Sequence, residues 1–113
     1  MPDSSASSTV LIYNPGCSKS RAALALLEQR GQDFTLRNYL QQPLDRAELE
    51  RLRSQLDLPI REWVRGADLS LDEEGLLQAL VDDPMLLQRP IIVHGDRAIV
   101  ARPAGLLLEF LDE

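Results

Sequence analysis

The chain has 113 residues, of which 44% are hydrophobic and 27% charged, and its net charge is −6 at pH 7. These proportions fit one folded domain and not a disordered segment, and a chain this long can bury about two thirds of its unfolded surface without a disulfide or metal staple. Cys17 is the only cysteine, which excludes an internal disulfide and a cysteine-built zinc site; the acidic balance argues against nucleic-acid binding, and no apolar run reaches the ~20 residues of a membrane span.

Residues 1–8, Met1-Pro-Asp-Ser-Ser-Ala-Ser-Ser8, are polar and aperiodic and lack the basic and apolar regions of a signal peptide, so they read as a flexible leader on a cytoplasmic protein. Residues 9–113 form the domain. Thr9-Val-Leu-Ile-Tyr-Asn14 is β-branched and aromatic and ends at Asn14-Pro15-Gly16, which predicts a buried first strand and a turn. From Ser18 to Arg30 the period becomes helical, with Ala22, Ala23, Leu26 and Leu27 on one face and Gly31 at the C-terminal cap. Asp33 to Tyr39 alternates Phe34, Leu36 and Asn38 against polar neighbours, which predicts a second strand and completes a β-α-β unit.

Asp45-Arg-Ala-Glu48 and Ser70-Leu-Asp-Glu73 both have capping-box spacing. The first predicts a helix to about Gln55 with Leu49, Leu52 and Leu56 inward, the second a helix to about Val81 with Leu76, Leu77 and Leu80 inward. Asp83-Pro84 starts a further helical turn. Pro90 to His94, Gly95-Asp96 and Arg97 to Ala101 read as two strands joined by a two-residue Gly-X turn. After Arg102-Pro103, Ala104 to Leu111 reads as a closing helix with Leu107, Leu108 and Leu111 on one side. The order predicts an α/β thioredoxin-like fold: a mixed four-stranded sheet, two strands parallel and a hairpin antiparallel, with a helical insertion between its halves.

Cys17 opens the first helix, where unpaired N–H groups and the positive dipole end lower a thiol pKa from about 8.5 toward ~3.5–7.5. Lys19 and Arg21, in the first turn, add positive charge. A buried structural cysteine is the alternative for a lone thiol, and the strand-turn-helix context favours a nucleophile. In Cys17-Ser18-Lys19-Ser20 a Ser stands where a dithiol oxidoreductase carries its second Cys, so any adduct or disulfide on Cys17 requires an outside thiol for its resolution. Of the twelve basic residues only Lys19 is Lys, and Arg is suited to forked recognition of oxyanions. Arg65-Gly66, Arg89-Pro90 and Arg102-Pro103 each place an Arg where Gly or Pro ends regular pairing. In a thioredoxin-like fold Pro90 would be the cis proline before the third strand, facing the Cys17 helix and bringing Arg89 near it. His94 reads as a solvated strand-end residue, Trp63 as a core anchor, and Asp72-Glu73-Glu74 and Asp82-Asp83 as helix-start charges; no metal site is expected.

Asn14-Pro15-Gly16-Cys17-Ser18-Lys19-Ser20-Arg21, Arg65 within Glu62-Trp63-Val64-Arg65, Arg89-Pro90-Ile91-Ile92-Val93 and Val100-Ala101-Arg102-Pro103 resemble the glutaredoxin-coupled arsenate reductase family, from about Thr9 to Leu111. The resemblance implies an enzyme in which Cys17 attacks arsenate or a related oxyanion and Arg65, Arg89 and Arg102 hold it. Asn14, Ser18, Lys19, Ser20, Arg21 and Pro90 support the site. It implies glutathione as co-substrate and glutaredoxin as partner; no bound cofactor is expected, and the chain is expected to be a monomer that binds neither nucleic acid nor membrane. Tyr13 stands where well-studied members carry His, and the stretch from Arg65 to Arg89 is shorter than usual. Relatives of the family also include regulators that contact RNA polymerase, the alternative to an enzyme; those typically carry Cys-x-x-Cys, and Ser20 argues against that dithiol switch.

Overall fold

The computed structural model describes residues 9–56, 58–66, 70–87 and 90–112. The leader 1–8, Arg89 and the Arg89-Pro90 peptide bond therefore lie outside the described residues, and with them the expectations placed there.

The hydrophobic run at the start of the domain forms β1 (Thr9–Tyr13). After α1 (Ser18–Arg30) the chain returns through β2 (Thr35–Asn38), which pairs in parallel with β1 from Val10↔Thr35 to Tyr13↔Asn38. On its other side β1 pairs antiparallel with β3 (Ile91–His94), and β3 pairs antiparallel with β4 (Arg97–Val100), giving the order β2-β1-β3-β4. This is the thioredoxin-like mixed sheet expected from the sequence. Gly95 takes φ +65, the left-handed conformation that a two-residue hairpin turn requires and Gly adopts at no steric cost.

Central β1 is covered on both faces, which is why it reads as a continuous apolar run and not as an alternation. Leu11 points into a cluster with Ala23 and Leu27 of α1, Ile92, and Leu107 and Phe110 of α4 (Leu106–Asp112). Ile12 points into the opposite cluster, built on Leu49, Leu52 and Leu56 of α2 (Arg46–Leu56), on Leu76, Leu77 and Leu80 of α3 (Glu73–Asp82), and on Trp63. Trp63 is fully buried, and its indole N–H donates to the Leu58 carbonyl at 3.2 Å, so the largest side chain of the core leaves no polar atom unpaired.

The ends of the helices follow local chemistry. Gly31, at φ +74, ends α1: its N–H reaches Glu28 O and the Gln32 N–H reaches Leu27 O, a Schellman closure. The capping box at α2 is reciprocal, with Glu48 N–H on Asp45 Oδ1 at 2.8 Å and Asp45 N–H on Glu48 Oε1 at 3.0 Å. At α3 the structure departs from the sequence reading. The cap is Asp72, whose Oδ1 accepts the Gly75 N–H at 2.8 Å, and not Ser70. A carboxylate at the positive end of the helix outcompetes a hydroxyl two residues earlier.

Three further expectations are corrected. Leu36 lies on an edge strand and is 40% exposed, so the second strand does not bury the alternating set; it spans 35–38, and the fully buried residue beyond it is Tyr39. In α1 the buried residues are Ser20, Ala23 and Leu27, while Ala22 faces solvent. The closing helix starts at Leu106, where the Leu106, Leu107 and Leu108 N–H groups donate to the Pro103, Ala104 and Gly105 carbonyls in i→i−3 bonds, and it buries Phe110 with Leu107 while Leu108 and Leu111 are half-buried.

Candidate active site

The site is built where β1 runs out. Asn14-Pro15-Gly16-Cys17 closes as a turn, with the Cys17 N–H donating to Asn14 O at 3.0 Å and the Gly16 N–H to Asn14 Oδ1 at 2.8 Å. An Asn at the first turn position supplies that side-chain acceptor, and Pro at the second has its φ preset for the bend. Cys17 then serves as the N-cap of α1: its backbone is extended (φ −103, ψ 123), its carbonyl accepts the Arg21 N–H at 3.0 Å, and the side chain is half-buried. The thiol therefore stands at the positive end of a helix of 13 residues, with Lys19 and Arg21 exposed in the first turn.

Two side chains hold this turn from opposite sides. Ser20 is fully buried, and its Oγ accepts the buried Asn14 N–H at 3.2 Å. The serine at the second-cysteine position is thus part of the turn's own hydrogen bonding. On the outside, Arg21 Nη1 donates to Pro15 O at 2.9 Å, which fixes a guanidinium over the turn. Ser18 is exposed at the first position of the helix.

The sheet register places the arginine-bearing segments at the same end. Ile12 pairs with Ile91, and Ile91 with Val100, so the chain around Pro90 and the chain leaving β4 both emerge beside the end of β1. Ala101 N–H donates to Pro90 O at 2.9 Å, and neighbouring strands lie about 4.8 Å apart, so Arg102 leaves the sheet two strands from the Cys17 turn. Arg102 is half-buried, its N–H on Val100 O at 3.0 Å, and its bond to Pro103 is cis. Arg65 is exposed and tied by backbone: Val64 bridges Leu87, and the Arg65 N–H reaches Leu86 O at 2.8 Å. Leu87 is three residues before Pro90, so Arg65 is tethered close to the start of β3. Sequence reading missed this tether, because a single bridge between two irregular segments leaves no alternating pattern.

His94 lies at the other end of the sheet and is no simple solvated residue. Its Nδ1 is 2.7 Å from Thr9 Oγ1, its cross-strand partner, and its ring meets Phe110 edge-on at 6.4 Å. Among the described residues no group of three or more His, Cys, Asp or Glu could hold a metal ion, and no helix is long and apolar enough to cross a membrane.

Residues 12–110 match the ArsC family. The chain belongs to that family. An arsenate reductase of Neisseria meningitidis is 40% identical over 104 residues, which cover 82% of this chain and 89% of that protein. The Escherichia coli protein YfgD, described as uncharacterized, is 39% identical over 112 residues, 89% of this chain and 94% of its own length. The solved structure of an arsenate reductase from Vibrio cholerae superposes with a TM-score of 0.84 at 36% identity, covering 92% of this chain and 98% of that one.

Proposed function

We propose that the protein is an arsenate reductase that uses Cys17 as nucleophile, with Arg102, Arg65 and Arg89 holding the oxyanion. The observation that carries this is the place of the single cysteine, at the N-cap of α1 on the end of the sheet where the Pro90 segment and Arg102 also arrive. Family membership and relatives named arsenate reductase over most of their lengths add support. A thiolate and an oxyanion repel by about 4 kcal/mol at 4 Å and an effective dielectric near 20, so fixed cations are needed where they meet. Attack of the Cys17 sulfur on arsenic, with loss of an oxygen as water, gives a thiol–arsenate adduct. Reduction to arsenite takes two electrons. With one cysteine in the chain, an external thiol attacks the Cys17 sulfur, the sulfurs join as a mixed disulfide, and the sulfur–arsenic electron pair leaves with arsenite. Glutathione fits that role and glutaredoxin the final release of Cys17.

The test is arsenite formation from arsenate by the purified chain with glutathione and either glutaredoxin or a thioredoxin system. Arsenite is expected with glutaredoxin and absent in Cys17→Ser. No arsenite from the wild type, or equal rates in Cys17→Ser, overturns the reading; turnover with thioredoxin alone overturns the choice of partner.

A further inference from the structure

The face of the sheet away from α1 carries a pocket of ≈160 Å³ that plays no part in the Cys17 site. Register builds its floor: Val10 pairs with Val93 and Ile12 with Arg37, so these side chains point to one face. Helical period builds its roof, since Glu48, Arg51, Leu52 and Gln55 of α2 stand at i, i+3, i+4 and i+7. Arg37 spans the gap from edge strand to helix. Its Nη1 and Nη2 reach the two Glu48 oxygens at 2.9 and 3.1 Å, while Nε and Nη2 also reach the Gln42 and Pro43 carbonyls at 2.8 and 3.0 Å. Both members of that pair are committed. The Arg37 hydrogen bonds, helped by the Asp45 N–H and the Arg37 and Arg51 charges and opposed by burial, hold the Glu48 carboxyl below its ordinary value and keep it ionised.

Arg51 differs from its neighbour: among the described residues its guanidinium makes no hydrogen bond or ion pair, and it lines the mouth of the pocket. Arg37, Glu48 and Arg51 together leave one net positive charge there, on a chain whose net charge is −6. The floor beneath is Val10, Ile12 and Val93, with Leu52 above. From this juxtaposition we infer that the pocket binds a small amphipathic monoanion, a branched or cyclic apolar body of about four to six carbons with one carboxylate, the body over the three strand residues and the carboxylate on Arg51. The size is apt, since an apolar cavity of ~150 Å³ accommodates benzene. A carboxylate is the anion that a planar guanidinium meets in forked geometry.

The probe is isovalerate, with isovaleramide as its neutral isostere, titrated into the full chain and followed by methyl and amide NMR. Saturable shifts at Val10, Ile12, Leu52 and Val93 are expected. Arg51→Gln should weaken isovalerate at least fivefold without changing isovaleramide, and Arg51→Lys, which keeps the charge and removes the fork, should recover only part of the loss. Arg51 is exposed, so neither variant threatens folding. Three outcomes overturn the inference: no saturable shift, shifts confined to residues 14–21 at the Cys17 turn, or equal isovalerate affinity in Arg51→Gln and the wild type. None of these depends on arsenate reduction, so the two readings fail separately.

Discussion

Ser20→Ala isolates the hydrogen bond that shapes the Cys17 turn. Ser20 and Asn14 are both buried, and the hydroxyl oxygen is the acceptor of the Asn14 N–H at 3.2 Å. Removing the acceptor leaves a backbone donor where water does not compensate it, a loss of about 1–3 kcal/mol. Alanine is the better helix former by roughly 0.5 kcal/mol at the third residue of α1, which offsets part of that. The net destabilisation is then about 0.5–2.5 kcal/mol, a fall in Tm of a few degrees to about 15 °C for a domain of this size. Trp63, fully buried and the only tryptophan, reports unfolding by fluorescence in urea. Ser18→Ala is the control: Ser18 is exposed, and its replacement should move stability by no more than about 0.5 kcal/mol. Because the turn sets the direction of the Cys17 side chain, Ser20→Ala should also change its alkylation rate at constant pH, which Ser18→Ala should not. A Ser20→Ala protein with wild-type midpoint and wild-type alkylation refutes the bracing role.

For Cys17, alkylation rate against pH should reveal a thiolate forming below about pH 7.5, as its place at a helix N-terminus requires; a midpoint near 8.5 would refute activation. Arg102→Lys retains charge and removes the fork, and should lower kcat/KM for arsenate at least tenfold, about 1.4 kcal/mol, with a smaller loss for Arg65→Lys; wild-type efficiency in Arg102→Lys would remove it from the oxyanion site. Glu48 has a carboxyl pKa lowered by Arg37 from the ordinary 4.5, so it stabilises the fold above that value and loses this as pH falls through its folded value. The stability gap between wild type and Glu48→Gln should therefore shrink below pH 4.5, and a gap constant from pH 7 to 3 would show that the ion pair is not its source.

The parts of the fold legible in the sequence are those fixed by short-range chemistry. Asn14-Pro15-Gly16 before a helical period, the Asp45/Glu48 box and the Gly95-Asp96 turn each specify backbone within a few residues, and each takes the form that its chemistry demands. What was illegible depends on packing between distant segments. Leu36 satisfies an alternating pattern, yet β2 is an edge strand and nothing covers that side chain fully. On α4 Phe110 is buried and Leu108 only half-buried at the edge of the same cluster, a ranking set by packing against Leu11, Ile92 and α1 and not by the helical period. In the site, Cys17 as N-cap could be read directly. The tie between Arg65 and Leu86 could not, since one bridge and one backbone hydrogen bond carry no residue preference.

The distribution of ion pairs explains how an acidic chain can present a site for an anion. Glu50 of α2 and Glu73 and Glu74 of α3 are engaged by arginines of α2, Arg46 with Glu50 and Glu74 and Arg53 with Glu73 and Glu74, while Arg37 takes Glu48 and Arg30 takes Asp112. Among the described residues none of these pairs involves Lys19, Arg21 or Arg65. The mutual neutralisation thus lies on the helical insertion and the far end of α1, and the cations around the Cys17 turn keep their charge. Screening confines electrostatic reach to about 8 Å at physiological salt, so an approaching oxyanion responds to these few groups and not to the net −6. One carboxylate placed in the first turn of α1 would therefore oppose both the thiolate and the oxyanion at once.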